Sequence, residues 1–599
     1  MTLSSIPLKE RPTLVRKACE ALGVTGFIIP RGDEYLGEYV APCSDRLAWL
    51  TGFTGSAGLA VILQDAAAVF SDGRYTVQME EQVPHDLWER RHVSMEPASD
   101  WLEENAQGAR VGYDPKLVSR SMLASWSAPG VELVPLAFNP IDQAWLDRPA
   151  APANPVINHG VELAGETSSS KRQRLAAGLR KAGQDAVVLA DCTSVAWLLN
   201  IRGSDVPLTP VAHGYGLLHA DGRAELFVDP ARLESGLAAA LGEEVTVQAP
   251  SALEKRLAAL GGKVVRLDPV TTPVWFETTL KAAGASVVDG NDPCTLPKAV
   301  KNLTEQAGAR QAHQRDGIAM ARFLHSVSMS AAGQRETDLV ERLGMFRQRS
   351  ADYREQSFDA ISASGPNGAY PHYRAEVGKD RVLPANSVYL IDSGGQYPFG
   401  TTDITRTLWI GPESAPQDVK EAFTRVLKGN IALSRVRFPP GTTGHRLDVL
   451  ARAALWQVGL DYDHGTGHGI GSYLSVHEGP QNISPAPRPT ALEAGMIVSN
   501  EPGYYEPGSY GIRIENLMLV KPSSYQGAKG VFLEFEILSY TPIDRELIDV
   551  TLLDDAELEW INAYHADVLT RVGPVVEPDV QEWLEKVCAP MMRETTGIQ

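Results

Sequence analysis

An internal repeat constrains the fold more than any other feature of the chain. Ala48-Trp49-Leu50 is followed after four residues by Gly55-Ser56, and Ala196-Trp197-Leu198 is followed after four residues by Gly203-Ser204. The offset is 148 residues in both parts. A helical pattern and then a strand precede each copy. "TLVRKACEAL", with Leu14, Ala18 and Leu22 on one face, leads into the buried strand "GFIIP"; "SKRQRLAAGLRKAG" leads into "DAVVLA". The same motif at one offset, in the same order of elements, is the signature of a duplicated α/β domain. Both tryptophans read as core packing. "GLAVIL" and "AAAVFSDGRY" read as further strands of the first copy.

At 599 residues the chain exceeds what one hydrophobic core can organise. A Pro/Ala/Asn-rich stretch at 148–160 and "GNDPCTLPKAVKN" at 290–302 read as its boundaries, giving domains over 1–158, 159–296 and 297–599. The last domain opens on a long helical pattern, "LTEQAGARQAHQRDGIAMARFLHSVSMS", followed by "GQRETDLVERLGMFRQRS". From about residue 355 short strands and tight turns take over. "SVYLIDSGGQYPFGTTDITRTLWIG" reads as a hairpin closed by a Gly/Pro turn, and "PQDVKEAFTRVLKGNIALSRV" as a helix. Asp554 and Glu557 form a capping box before "AELEWINAYH". The fold class is therefore α/β for the two related N-terminal domains and α+β for the C-terminal one.

A net charge of −19 argues against a nucleic-acid partner. No apolar run reaches the ~18 residues that span a bilayer, since "GLAVILQDAAAVF" is broken by Gln64 and Asp65. The first residues lack the apolar core of a secretory signal. Cys19, Cys43, Cys192, Cys294 and Cys588 are scattered, odd in number and without a CxxC, which fits reduced thiols in the cytoplasm.

The chemistry lies in the last domain. Asp392, Asp403, His468, Glu501 and Glu515 each stand in apolar or Gly-rich surroundings, with Ile391, Ile404, Val498 and Ile514 marking interior strands. Four carboxylates gathered there repel one another and take up protons unless positive charge offsets them. Two divalent cations neutralise the set. Asp392 and Asp403 fall on opposite arms of the expected hairpin, where adjacent strands stand about 4.8 Å apart. Arg513 alternates with Ile512 and Ile514 in "GIRIE", so it faces Glu515's side and can orient a ligating carboxylate from behind.

His464 and His468 have the i, i+4 spacing of a helical metal pair, but Gly465, Gly467, Gly469 and Gly471 exclude a helix. Alternating glycines suit a strand that passes very close to a neighbour. On one face of such a strand, one histidine can serve as a ligand and the other as a proton carrier.

The motifs "IDSGGQYPFGTTDITRT", "HGTGHGIG", "HEGP", "NEPGYY" and "YGIRIEN" resemble the aminopeptidase P (Xaa-Pro aminopeptidase) branch of the creatinase and methionine aminopeptidase superfamily. Upstream, "EYVAPCSDRLAWLTGFTGSAG", "SDGRY", "AWLLNIRGSD" and "DPCTLPKAVKN" are similar to its long, three-domain form. The resemblance implies two creatinase-like domains followed by a pita-bread catalytic domain. It implies that Asp392 holds one metal through both oxygens, that Asp403 and Glu515 bridge two metals, and that His468 and Glu501 complete the second. His372, His464 and His477 match the branch's active-site histidines that are not ligands. Manganese is the implied metal, with cobalt or zinc as alternatives; carboxylates with one imidazole suit it. The implied substrates are peptides beginning Xaa-Pro, and the implied assembly is a homodimer.

In the expected reaction, a hydroxide made strongly nucleophilic by two cations attacks the carbonyl before proline. The metals and a histidine stabilise the oxyanion, and Glu501 or a histidine protonates the proline nitrogen. A prolidase acting on dipeptides is the nearest alternative. Creatinase-like chemistry, which works without these ligands, and an inactive pita-bread binding module are further ones. Glu38 and Arg46, in the first domain, either line the substrate entrance or form surface salt bridges.

Overall fold

Each copy of the repeat builds a six-stranded mixed sheet, and the two sheets have one topology. In the first copy, β1 (Gly26–Pro30), β2 (Leu59–Leu63), β3 (Ala67–Ser71), β4 (Glu89–His92), β5 (Arg110–Tyr113) and β6 (Glu132–Pro135) are ordered β4-β3-β2-β1-β5-β6. In the second, β7 (Ala186–Leu189), β8 (Tyr215–His219), β9 (Ala224–Phe227), β10 (Val245–Gln248), β11 (Val264–Leu267) and β12 (Ser286–Asp289) are ordered β10-β9-β8-β7-β11-β12. The directions agree as well. The three central strands of each copy are antiparallel, and the outer ones are joined in parallel. β1, β2 and β3 are buried along their whole length, which accounts for their unbroken apolar sequences.

The repeated Ala-Trp-Leu lies in a short helix after the first strand of each sheet, Arg46–Thr51 and Cys192–Leu199. Trp49 and Trp197 are both buried, as core packing requires. Each helix ends on a left-handed residue, Gly52 in one copy and Asn200 in the other. Of its two expected roles Arg46 shows the salt bridges, formed from a buried position. Its guanidinium is 2% exposed and pairs with Asp142 and Glu34, each at 2.7 Å. Glu38 accepts a hydrogen bond from Ser56 Oγ at 2.9 Å.

This computed structural model describes residues 4–527 and 530–593. The chain divides into two units, Met1–Val161 with Glu166–Thr295, and Glu162–Gly165 with Leu296–Gln599. The first unit holds both sheets. No helix among the described residues is long and apolar enough to cross a membrane. All five cysteines are buried and free of disulfides.

The second unit begins with the helix Leu303–Ser330, capped by Asn302 and Glu305 in a reciprocal box. Met320, Phe323, Leu324 and Val327 on it pack against Tyr389, Ile391, Ile404 and Leu408. Those residues belong to an antiparallel sheet of β13 (Ile361–Ser364), β14 (Ser387–Ser393) and β15 (Ile404–Ile410). A two-stranded ladder joins β16 (Gly467–His468) to Asn482–Ile483. Next come β17 (Ile497–Asn500), β18 (Tyr510–Arg513), β19 (Asn516–Gly527) and β20 (Gly530–Ile537). β19 pairs with both β17 and β20, and β18 pairs with Gly503–Glu506. The helix Gln417–Arg435 buries Val419, Phe423, Val426 and Leu427 against a core that includes Ile512 and Ile514. Asp554 and Glu557 cap the helix Asp555–Val572 as their spacing predicts.

The hairpin through residues 387–411 forms as expected, except that its tip belongs to a separate ladder. β14 and β15 do pair in antiparallel register, Asp392 opposite Thr405. The expected turn closes the tip at Pro398–Phe399, between Tyr397 and its ladder partner Gly400. Gly395–Tyr397 and Gly400–Thr401 peel away as a smaller ladder with Glu355–Gln356. That tip has its own anchors, since Ser357 Oγ donates to Thr402 O at 2.8 Å and Gln396 Nε2 to Leu474 O at 2.9 Å.

Candidate metal centre

All five candidate donors converge in the second unit, near the ends of its strands. Asp392 is next to last in β14, and Asp403 immediately precedes β15. His468 closes β16, Glu501 follows β17, and Glu515 sits in the turn from β18 to β19. The tight passage inferred from the glycines is real, although the ladder there is only two residues long. A Cβ on Gly467 would lie 2.0 Å from Ser499 O, and one on Gly469 2.0 Å from Glu478 O. Only glycine allows the two chains to approach so closely.

Asp403, His468 and Glu515 each offer one ligand atom, and these atoms lie within 4.8 Å of one another. His468 Nε2 stands 3.5 Å from Asp403 Oδ2 and 3.4 Å from Glu501 Oε1. Its Nδ1 donates to the Gly469 carbonyl at 3.1 Å, a bond that turns Nε2 toward the carboxylates. Ser499 Oγ donates to Glu501 Oε1 at 3.0 Å and accepts from the His468 backbone N–H at 2.9 Å.

Arg513 corrects a detail of the sequence reading. β18 ends at Arg513, so Glu515 is not on its ladder. The guanidinium instead donates to Asp392 Oδ2 at 2.6 Å and, through Nε, to Thr405 Oγ1 at 3.2 Å. Thr405 Oγ1 in turn donates to Glu515 Oε2 at 2.8 Å. The hydrogen-bond path from Arg513 to Glu515 therefore runs through Thr405. Its other nitrogen donates to Tyr505 Oη at 2.7 Å, and Tyr505 Oη lies 2.8 Å from His464 Nε2. His464 Nδ1 donates to Gly465 O at 2.7 Å, which leaves Nε2 to accept from the tyrosine. The result is a continuous line from His464 through Tyr505 and Arg513 to Asp392.

The His477 ring packs edge-on against His468, with centroids 4.4 Å apart. His372 is half-buried in the irregular segment after the short turn Gly365–Ala369.

The electrostatics match the reasoning from sequence. Burial, with repulsion from Asp403 and Glu501, outweighs Arg513 and lifts the Asp392 carboxyl to about 7. Burial, with Asp403 again repelling, also raises Glu501. Glu515 is pushed far above the carboxylate range by burial and by Asp403, Glu501 and Asp392. Burial lowers His468, but the hydrogen bond to Asp403 and the charge of Glu501 reverse this and carry it to about 9. Left to the protein's own charges, the cluster recruits protons. Asp392 Oδ1 and Asp403 Oδ1 are buried with no hydrogen-bond partner among the described residues. Buried, unpartnered carboxylate oxygens in an anionic cluster fit divalent cations.

Thr405, Ser499 and Tyr505 escaped the sequence reading. Thr405 was detectable, because Asp403, Thr405 and Thr407 alternate and so share one face of β15. No local signal separates Tyr505 from its neighbour Tyr504.

Family models agree with this arrangement. The model for metallopeptidase family M24 matches residues 307–522, and that for the C-terminal region of the same peptidases matches 531–591. Creatinase/prolidase N-terminal domain models match 11–139 and 147–305. Aminopeptidase P2 of Arabidopsis thaliana is 39% identical over 96% of this chain and 87% of its own length. The chain belongs to metallopeptidase family M24. A probable Xaa-Pro aminopeptidase P of Laccaria bicolor is 37% identical to this M24 chain, covering 97% of it and 93% of the relative. Among solved structures, the X-prolyl aminopeptidase of Caenorhabditis elegans superposes with a TM-score of 0.91 at 32% identity. That match covers 98% of this chain and all of that one, which is described as a cytosolic enzyme with a di-nuclear active site. The Xaa-Pro dipeptidase of Bacillus anthracis, at 26% identity and a TM-score of 0.52, covers only 63% of the chain. The fold is thus two creatinase-type N-terminal domains followed by a pita-bread M24 domain.

Proposed function

We propose that this M24 enzyme is an Xaa-Pro aminopeptidase with two divalent ions, removing the first residue from peptides whose second residue is proline. One observation carries the metal reading: two buried carboxylate oxygens, Asp392 Oδ1 and Asp403 Oδ1, stand without a hydrogen-bond donor among the described residues, inside a four-carboxylate cluster. The substrate class follows from full-length similarity to the Arabidopsis and Laccaria proteins and to the nematode structure.

Asp392, whose Oδ2 also accepts from Arg513, would hold the ions together with Asp403, His468, Glu501 and Glu515. Bound ions supply Lewis acidity and lower the pKa of water toward neutrality. The chain's own residues supply the rest. His468 is aimed by its bond from Nδ1 to Gly469 O, which turns Nε2 toward the carboxylates. Arg513 and Thr405 fix Asp392 and Glu515 in orientation. The Tyr505 hydroxyl faces His464 Nε2, so a proton can move between that imidazole and the site. His372 and His477 complete the histidine set. The proline nitrogen must gain a proton to leave, and Glu501 or one of these histidines delivers it. Manganese suits five donors of which four are carboxylates. The domain limits 1–158, 159–296 and 297–599, a cytoplasmic location and a homodimer belong to the same reading. The five free, buried cysteines support the location.

The test is metal analysis of the purified protein, with activity measured on Xaa-Pro-Pro and on Xaa-Pro before and after chelation and Mn²⁺ return. Tripeptide cleavage that vanishes with the metal and returns with it is expected. Full activity in the metal-free protein overturns the metal reading, and cleavage confined to the dipeptide makes the enzyme a prolidase.

A further inference from the structure

Glu336 stands at the start of the helix Glu336–Arg347 and is completely buried. Among the described residues it has no ion-pair partner, yet its carboxylate accepts six hydrogen bonds. Oε1 receives Ser364 N at 2.7 Å, Ser364 Oγ at 3.1 Å and Asn367 Nδ2 at 3.0 Å. Oε2 receives Asn367 Nδ2 at 3.0 Å, Tyr373 Oη at 2.8 Å and Arg381 N at 2.9 Å. The peptide group of Glu336 adds two more, donating to Arg381 O at 3.0 Å and accepting from Ser362 Oγ at 2.8 Å.

Every donor to the carboxylate comes from one segment, residues 364–381. Beyond Ser364, which closes β13, and the turn Gly365–Ala369, that segment has no helix or strand of its own to fix its course. A buried anion persists only where such charge-assisted bonds replace its hydration. The converse also holds: donors that saturate one carboxylate are tied to one geometry. His372 lies inside this segment and directly precedes Tyr373, whose hydroxyl is one of the bonds. The beginning of the segment also abuts the strand that carries Arg513. A Cβ on Gly511 would fall 1.6 Å from Gly368 O, so the two backbones are in direct contact there.

We propose that Glu336 is a positioning residue for His372. Its carboxylate gathers residues 364–381 around one anion, and the imidazole is held for the reaction by the segment, not by contact between Glu336 and substrate. This rests on the aminopeptidase reading above.

Glu336→Gln keeps the shape of the side chain but turns an amide NH₂ toward donors that need an acceptor, whichever way the amide is placed. The variant should retain its metal content and lose about 10- to 100-fold in kcat/KM. It should change kcat and KM in the same proportion as His372→Ala does. The double variant should fall no more than about twofold below His372→Ala, because the second change acts on a group already removed. Activity of Glu336→Gln within twofold of the parent overturns the proposal, and so do losses that multiply in the double variant. Should that variant not fold, Tyr373→Phe removes one of the six bonds, and a three- to tenfold loss absent from the His372→Ala background is expected. Loss of equal size in both backgrounds overturns the proposal. Hydrogen exchange separates failure of the proposal from failure of the aminopeptidase reading. Faster exchange confined to residues 364–381 supports the anchor whether or not any peptide is cleaved, and unchanged exchange there rejects it.

Discussion

Thr405→Val tests how far a single hydroxyl governs the proposed metal centre. Valine keeps the β-branched shape and fits the strand, so β15 should form as before. What disappears is one oxygen between two charged groups, accepting from Arg513 Nε at 3.2 Å and donating to Glu515 Oε2 at 2.8 Å. A buried hydrogen bond to a charged group is worth about 1.5–3 kcal/mol, and 1.4 kcal/mol corresponds to a factor of ten. Glu515 would then turn without its donor, and metal affinity should fall by roughly ten- to a hundredfold, the usual range when a group supporting a ligand is lost. Titration of chelator-stripped protein with Mn²⁺, against a competing fluorescent chelator, reads this directly. At saturating metal much of kcat should return, because no ligand has been removed. Affinity unchanged within twofold would refute the claim that Thr405 holds Glu515 in a ligating orientation.

Three further outcomes are expected. His464→Ala should lower kcat at least a hundredfold while metal content is retained, since its Nε2 faces Tyr505 Oη; parallel loss of metal would make it a ligand. Gly467→Ala forces a methyl to 2.0 Å from Ser499 O, a backbone atom that cannot swing aside, so a loss of about 3 kcal/mol or more in urea unfolding is expected; an unchanged midpoint contradicts the close approach. His565, fully buried and accepting from Ile543 N at 3.1 Å, is held neutral down to about 4, first by burial and then by Arg406 and Arg545. Its contribution is therefore complete above pH 6.5 and lost as the pH falls through about 4. The parent should lose about 3 kcal/mol relative to His565→Gln over that window, and a flat difference would count against it.

The sequence disclosed the parts of this molecule that are periodic or charged. The 28-residue helix Leu303–Ser330 was legible from its pattern, and the Asp554/Glu557 cap from its spacing. The five donors stood out because acids among Ile391, Ile404, Val498 and Ile514 need an explanation. Tertiary pairing was less visible. Nothing local in "GGQYPFGTT" shows that it leaves β14 to pair with Glu355–Gln356, because the partner lies some forty residues upstream. Arg513 faced the right region, but its actual partners, Asp392 and Thr405, come from strands more than a hundred positions earlier. The burial of Arg46 was hidden for a similar reason. Its carboxylate Asp142 is 96 residues away, and a buried ion pair has no signature in the sequence around one member.

The two sheets of the first unit also preserve a history. One ancestral domain, copied in tandem, has answered the same geometric demand twice with different residues. Both copies must turn the chain left-handed after the Ala-Trp-Leu helix. At Gly52 the surroundings leave no space, since a Cβ would lie 3.0 Å from both Gln82 O and Leu8 Cδ2. At Asn200 the second copy has room for a side chain, which accepts from Lys171 Nζ and donates to Glu166 O, each at 2.8 Å. Both copies keep the conformation, and each meets it with a different residue.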